Sequence, residues 1–299
     1  MSSGAAATEI QQEAPTPPHR RSHTLRQNAI AVFSGQLVTW TLTAITLALL
    51  PRYLGPERMG QMGIGMSYQM LVVTFAGLGM GTLITRDIAR DRASAARLLG
   101  TAVWLSLALG VIGGLIAAVI AVLSGYSQTT AIVVALSVAV APFLMLEITA
   151  GAILQGVEVM RFEAMWDAAA KVVLLLALLV VMFGDWGLVP ILVAMLATAA
   201  VVSVPALAVA RRYLPFRVFS FSYESARYLI VNSLPFFMVG IFLVLYMAVD
   251  ALQLSYLSGE RAVGIYSAPA RIFGTLLFVP NIVILVTFPR MAAAHHDHP

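Results

Sequence analysis

Nearly every charge in this chain falls in the gaps between eight long apolar runs, and the arginines favour every second gap. Hydrocarbon offers no water to backbone amides, so a segment that crosses it must be a helix or part of a closed barrel. A helix needs about 20 consecutive, mostly apolar residues to do so. The runs cover residues 29–50, 60–85, 99–123, 129–152, 163–183, 187–210, 228–249 and 262–288. Barrel strands would alternate apolar and polar positions over about ten residues, and the run 172–181 does not alternate. The expected fold is all-α, a polytopic membrane protein of about eight transmembrane helices. Composition agrees: 11% of residues are charged, against about a quarter in a soluble domain.

The polar gaps set an orientation, because short cytoplasmic loops accumulate Lys and Arg. One side of the membrane collects thirteen arginines, among them Arg86, Arg90, Arg92, Arg97, Arg211, Arg212, Arg217 and Arg227. The other side holds Arg52, Arg58 and Arg261. The expectation is a multi-pass protein of the cytoplasmic (inner) membrane with both termini in the cytoplasm, as an even number of spans requires. The net charge of +4 then reflects topology and attraction to anionic membrane lipids, and no nucleic-acid partner is expected.

Residues 1–27 are read as a disordered cytoplasmic tail. Their polar, proline-containing start lacks the apolar core of a cleavable signal peptide. The chain has no cysteine, which excludes disulfides and thiolate metal sites. His295, His296 and His298 are read as a solvated tail and not as a metal site. No metal or cofactor is expected.

An internal repeat organises the rest. At an offset of 204 residues, Asn28 matches Asn232, Phe33 matches Phe237, Gly55 matches Gly259 and Gly60 matches Gly264. At an offset of 203, Leu54-Gly55-Pro56-Glu57-Arg58 lies over Leu257-Ser258-Gly259-Glu260-Arg261. The matches fall at equivalent points, an Asn at the start of a span and a Gly-Glu-Arg turn in the loop that follows it. Six spans preserve the side of the membrane, so the repeats are parallel, related by an axis along the membrane normal. Residues 28–210 form a first six-helix lobe, 211–227 a basic cytoplasmic linker, and 228–299 the first two helices of a second lobe. The linker's Phe216, Phe219, Phe221 and Tyr223 are expected to lie along the inner leaflet.

Three further stretches carry a resemblance. Gly264-Ile265-Tyr266-Ser267-Ala268-Pro269-Ala270-Arg271-Ile272, with Phe288-Pro289 at the end of the same span, resembles the eighth-span signature of flippases and exporters of polysaccharide repeat units. Tyr53-Leu54-Gly55-Pro56-Glu57-Arg58-Met59-Gly60 is similar to that family's first outer loop. Phe75-Ala76-Gly77-Leu78-Gly79, leading into Arg86-Asp87-Ile88-Ala89-Arg90, is similar to its second span and inner loop. The family belongs to the multidrug/oligosaccharidyl-lipid/polysaccharide exporter superfamily. The resemblance implies relatives with more spans than this chain carries, and hence a truncated chain that works with missing C-terminal helices or an oligomer partner.

Few charges enter the apolar runs. Arg271 lies near mid-membrane, where an unpartnered arginine costs at least about 2.5 kcal/mol on insertion scales. It is either a snorkelling or structural residue, or a cavity arginine whose planar guanidinium grips a diphosphate; the resemblance implies the second. Asn28 and Asn232, equivalent in the repeat, join it as candidate substrate-binding residues. Asp167 and Lys171 stand four residues apart and share a helix face. They are read as an internal salt bridge or as groups that couple transport to an ion, with Glu147 as a third member. Glu158, Arg161 and Glu163 are read as a solvated inner loop.

The resemblance implies a transporter and not an enzyme: a flippase that carries a lipid-linked oligosaccharide of the undecaprenyl-diphosphate type by alternating access. The competing readings are a cation-coupled multidrug extruder of the same superfamily, a membrane-embedded glycosyltransferase, and a fragment or split half of a flippase with no activity alone. The short outer loop 125–128 argues against the glycosyltransferase.

Overall fold

The computed structural model describes residues 20–218 and 220–276, with side chains from residue 34 to 270 apart from 161, 219 and 268. The described residues form eight helices: α1 (Arg20–Gly77), α2 (Met80–Arg90), α3 (Arg92–Leu123), α4 (Gln128–Ala139), α5 (Ala141–Gly156), α6 (Met160–Phe183), α7 (Leu188–Tyr213) and α8 (Tyr223–Leu276). No strand occurs among them. The chain is an all-α polytopic membrane protein.

Two of the helices are too long to be single spans. At about 1.5 Å per residue, the 58 residues of α1 would reach about 87 Å, against about 30 Å of hydrocarbon. Each long helix instead reverses at a glycine that leaves helical geometry, Gly55 in α1 (φ 73°, ψ 174°) and Gly259 in α8 (φ 80°, ψ 177°). Neighbours of α1 trace its reversal. Gly35 lies against Ala164 near the start of α6, and the Tyr53 hydroxyl accepts from the Gly187 amide beyond the end of α6. From there Gly65 lies against Ser137, Gly81 against Ile148, and Ile88 against Gly156, so the chain has returned to the level at which α6 begins. Among the described residues six helical stretches are long and apolar enough to cross a membrane; with two of them doubled back, these residues trace eight arms.

The remaining breaks have local causes. The fourth span is interrupted at Val140, where α4 ends and Pro142 enters at the start of α5, since proline lacks the N–H that would continue the ladder. Leu78 and Gly79 adopt positive φ between α1 and α2. At Gly79 the chain also has no room for a side chain, because a Cβ would fall 2.6 Å from the Phe237 amide nitrogen of α8.

The two hairpins meet across a local two-fold axis. A Cβ on Gly60 would overlap the Glu260 carbonyl, and a Cβ on Gly264 would overlap the Pro56 carbonyl. Pro56 and Glu260 are themselves 204 residues apart, and Gly63 faces Ser267 at the same offset. The reciprocal contact is that of an isologous interface, here within one chain, and it places the second lobe's first hairpin on the first lobe's.

Apolar packing is arranged in three clusters. One, around Leu83, Leu99, Ile153 and Leu229, holds the arginine-rich end together. A second, around Leu54, Met59, Leu178 and Ile191, packs the opposite end of the first lobe. The third, around Ile64, Val134 and Val263, joins α1, α3 and α4 to the second arm of α8.

The segment between lobes is more deeply seated than a surface linker. Leu214 and Phe216 are buried and pack into the first cluster, with the Arg211 guanidinium 5.6 Å from the Phe216 ring centre. The Ser222 amide donates to Thr101 Oγ1 at the start of α3. Of the aromatics expected on the leaflet, Phe221 and Tyr223 are exposed, and Phe219 lies outside the described residues.

Candidate functional site

Between the lobes the helices part to leave a cavity of about 1050 Å³. Its walls come from the second arm of α1, α2, α5, the start of α6, α7 and the first arm of α8. All these segments lie toward the arginine-rich end. Toward the other end the Gly60–Gly264 crossing closes the bundle, reinforced by a polar network. Glu260 of α8 accepts from Gln61 Nε2 (3.0 Å), from Ser127 Oγ (3.3 Å) and from Thr130 Oγ1. Beside it the Tyr256 hydroxyl pairs with Ser124 Oγ (2.9 Å) and lies 3.4 Å from the Tyr68 hydroxyl, while Tyr126 pairs with Ser255 (2.7 Å). The cavity thus lies in the arginine-rich half of the bundle, and the hairpins pack tightly in the other half.

Carboxylates dominate the cavity's charge. Glu147, Glu163 and Asp167 line it, with Arg86 as the basic residue among its described lining side chains. The acids are spread along the wall: among the described residues no three acidic, His or Cys side chains are placed to share a metal ion. Glu163 accepts from Gln155 Nε2 at 2.7 Å, and a Cβ on the facing Gly151 would come within 2.9 Å of its carboxylate. Aromatic side chains Phe162, Trp166, Phe236 and Phe237 complete the wall. The Trp166 indole N–H is buried without an acceptor.

The structure distributes the expected residues unevenly. Asp167 and Glu147 are on the cavity wall, and Lys171 is not. The expected Asp167–Lys171 salt bridge is absent: among the described residues the ion pair is Arg86–Asp87. Asp167 instead accepts from Thr39 Oγ1 of α1 at 3.2 Å, because the α1 hydroxyl reaches the carboxylate across the helix interface. Asn232 is away from the cavity and donates to the Tyr228 carbonyl one turn earlier at 2.8 Å. The side chains of Asn28 and Arg271 lie outside the described residues.

Sequence reasoning misses two cavity residues. Glu163, read as part of a solvated loop, is on the wall because α6 begins at Met160 and carries its first turn against α5. Arg86 counts in the sequence as a topological charge and as part of the inner-loop resemblance, not as a site residue. It reaches the cavity because α2 is amphipathic, with Ile84 and Ile88 buried on the opposite face. Four-residue spacing of Arg86 from Thr82, also on the wall, is the available signal.

A family model described as "Polysaccharide biosynthesis protein" matches residues 25–295. The chain belongs to that family. Its fold is shared with a solved multidrug and toxic-compound extrusion (MATE) transporter, DinF-BH in a ligand complex, which superposes with a TM-score of 0.68 at 18% sequence identity. That match covers 90% of this chain and 64% of the transporter. A second solved chain, described only as protein A, matches with the same score, identity and coverage. No curated protein matches the chain by sequence. This member of the polysaccharide biosynthesis family thus spans 64% of the length of the transporter whose fold it shares.

Proposed function

We propose that the chain forms the cytoplasmic-membrane flippase body for a lipid-linked oligosaccharide, carrying its polar head from the cytoplasmic to the outer side by alternating access. The observation that carries this reading is the cavity lined by the second arm of α1, α2, α5, α6, α7 and the first arm of α8 in the arginine-rich half, with the Gly60–Gly264 crossing and the Glu260 network packing the other half. Alternating access needs such a state, with its partner reached by rocking of one lobe about the shared axis. Cavity chemistry supports a sugar head: carboxylates accept from hydroxyls, and aromatic faces present apolar area with defined geometry.

The family match supports a polysaccharide precursor, and the arginine asymmetry supports a cytoplasmic mouth. The first arm of α8 carries Phe242 (69% exposed) and Leu243 (57%) where α1 carries Val38 and the Asp167 partner Thr39. This face supports transport by the chain together with further spans that cover it, as α6 covers α1.

A second reading rests on the three cavity carboxylates, which suit an organic cation; DinF-BH is described as a multidrug transporter. One experiment separates the two. Vesicles containing the protein together with its covering spans are loaded on one leaflet with a fluorescent polyprenyl-diphosphate oligosaccharide, and protection from a membrane-impermeant quencher is followed. Protein-dependent exchange of that lipid supports the flippase. Export of ethidium, a fluorescent organic cation, with no exchange of the lipid supports the extruder. Reporter fusions after Arg97 and Arg227 should read cytoplasm, and one at Gln128 the outside.

A further inference from the structure

A second hollow lies outside the cavity, on the flank of α3 at the arginine-rich end. It measures about 310 Å³ and is walled by Trp104, Leu105 and Ala108 of α3 and by Phe221 of the segment between the lobes. We propose that this slot, with the guanidinium groups of Arg97 and Arg217, binds an anionic phospholipid, an acyl chain lying between the aromatic rings and the phosphate on the arginines. The inference goes beyond the proposed function and does not depend on what the cavity carries.

The slot exists because the segment between the lobes is pinned to α3. A Cβ on Gly100 would overlap the Arg217 carbonyl and the Ser220 side chain, so glycine lets the segment lie directly on the helix. Ser220 Oγ donates to the Arg217 carbonyl at 2.8 Å, which closes the turn on itself. Next to it the Ser222 amide donates to Thr101 Oγ1 at 3.1 Å. Between these two anchors Phe221 is held beside Trp104, one turn further along α3, and the two rings stay 63% and 43% exposed.

The arginines sit where a phosphate would be. Positions 97, 104 and 108 share one face of α3, because seven and eleven residues are close to whole turns at 3.6 residues each. Arg97 stands about 10 Å from Trp104 along the axis, toward the end at which α3 begins. Arg217 arrives from the other wall, its carbonyl resting on Gly100, one turn from Arg97. Both side chains are exposed. The acids closest in sequence are Asp91, which caps α3 by accepting from the Ala93 amide, and Glu224 in the first turn of α8. Among the described residues the ion pair is Arg86–Asp87, so neither guanidinium is neutralised by a carboxylate.

Size and surroundings select a lipid as the occupant. One turn of a helix about 10 Å across fills about 420 Å³, more than the slot offers. Further along the same face Val111, Leu115 and Val119 are exposed, which continues the slot into the apolar surface that a spanning helix gives to hydrocarbon. Trp and Tyr favour the boundary between chains and headgroups. A zwitterionic head balances its phosphate with its own amine, whereas an anionic head brings net negative charge to the arginines.

Bromine on an acyl chain quenches an indole that it touches, so contact can be read directly. Trp40→Phe, Trp166→Phe and Trp186→Phe leave Trp104 as the one indole of the 299-residue chain, which is placed in phosphatidylcholine nanodiscs. Brominated phosphatidylglycerol should half-quench Trp104 at a mole fraction at least about fivefold below brominated phosphatidylcholine, the preference expected of an arginine near an anionic head. Arg97→Gln with Arg217→Gln should bring the two lipids together. Arg90→Gln with Arg212→Gln removes the same charge from exposed positions at the same end and should leave the preference in place. Phe221→Ala should weaken both lipids and keep their ratio. Native mass spectrometry of the chain with its four tryptophans gives an independent measure: phosphatidylglycerol should stay bound in preference to phosphatidylcholine, and the double variant at Arg97 and Arg217 should lose that preference.

Equal quenching by the two lipids would make the slot ordinary lipid contact and overturn the proposal. A preference that survives Arg97→Gln with Arg217→Gln would overturn it too, as would one that Arg90→Gln with Arg212→Gln abolishes equally, since charge would then act diffusely. Displacement of brominated phosphatidylglycerol by an equal amount of undecaprenyl phosphate would give the slot to a polyprenyl carrier and end the phospholipid assignment. None of these outcomes overturns the flippase reading, which rests on the cavity.

Discussion

Gly60 and Gly264 pack backbone to backbone: a Cβ on either would stand 3.0 Å from the amide nitrogen of the other. The contact is reciprocal because the two residues occupy equivalent places in an internal repeat. It sets the axis about which the lobes are related, and it closes the bundle opposite the cavity.

Alanine at either glycine must therefore push the hairpins apart. Gly60→Ala and Gly264→Ala should each lower stability by about 1–3 kcal/mol, the usual cost of overpacking, as read by thermal unfolding in detergent. Gly63→Ala is the comparison: its added carbon would meet the Ser267 hydroxyl at 3.3 Å, which a small shift relieves. Equal tolerance at all three positions would mean that the hairpins do not approach as closely as described.

The turn glycines test conformation without packing. At Gly55 and Gly259 a Cβ would have no heavy atom within 4 Å, yet both residues adopt positive φ with extended ψ, a region essentially confined to glycine. Gly55→Ala and Gly259→Ala should each cost about 1–3 kcal/mol despite the open space. Unchanged unfolding temperatures for both would show that the hairpins can turn by another route.

Glu260 joins the second lobe to the first at the end opposite the cavity, and one of its donors, Thr130, is fully buried. Glu260→Ala leaves that hydroxyl with Ser127 Oγ, 2.9 Å away, as its remaining side-chain partner. A double-mutant cycle of Glu260→Ala with Thr130→Val should show a coupling of about 1.5–3 kcal/mol, typical of a hydrogen bond to a charged group. Labelling of a cysteine placed at Gln61 by an impermeant reagent should rise in Glu260→Ala. No coupling and no change in labelling would remove Glu260 from the closure of that end.

Asp167 should be coupled to the hydroxyl that reaches it and not to the lysine on its own helix. Thr39→Val with Asp167→Asn should show a coupling of about 0.5–1.5 kcal/mol. Asp167→Asn with Lys171→Met should be additive to within about 0.5 kcal/mol. Stronger coupling to the lysine than to the threonine would restore the salt bridge.

The amino-acid sequence by itself determined how many times this chain crosses the membrane, which side gathers its arginines, and where it repeats. Those features are local: lipid imposes a length of apolar residues on every pass, and the Gly55 and Gly259 turns are written in the residues that make them. Only the tertiary structure decided which faces meet. In hydrocarbon an apolar side chain is as well solvated by lipid as by protein, so apolar periodicity does not mark the buried face, and nothing in the run 163–183 announced that Glu163 faces a cavity or that Asp167 turns to Thr39. Arg86 was visible as charge, but its place beside Phe236 depends on an axis between glycines more than 200 residues apart.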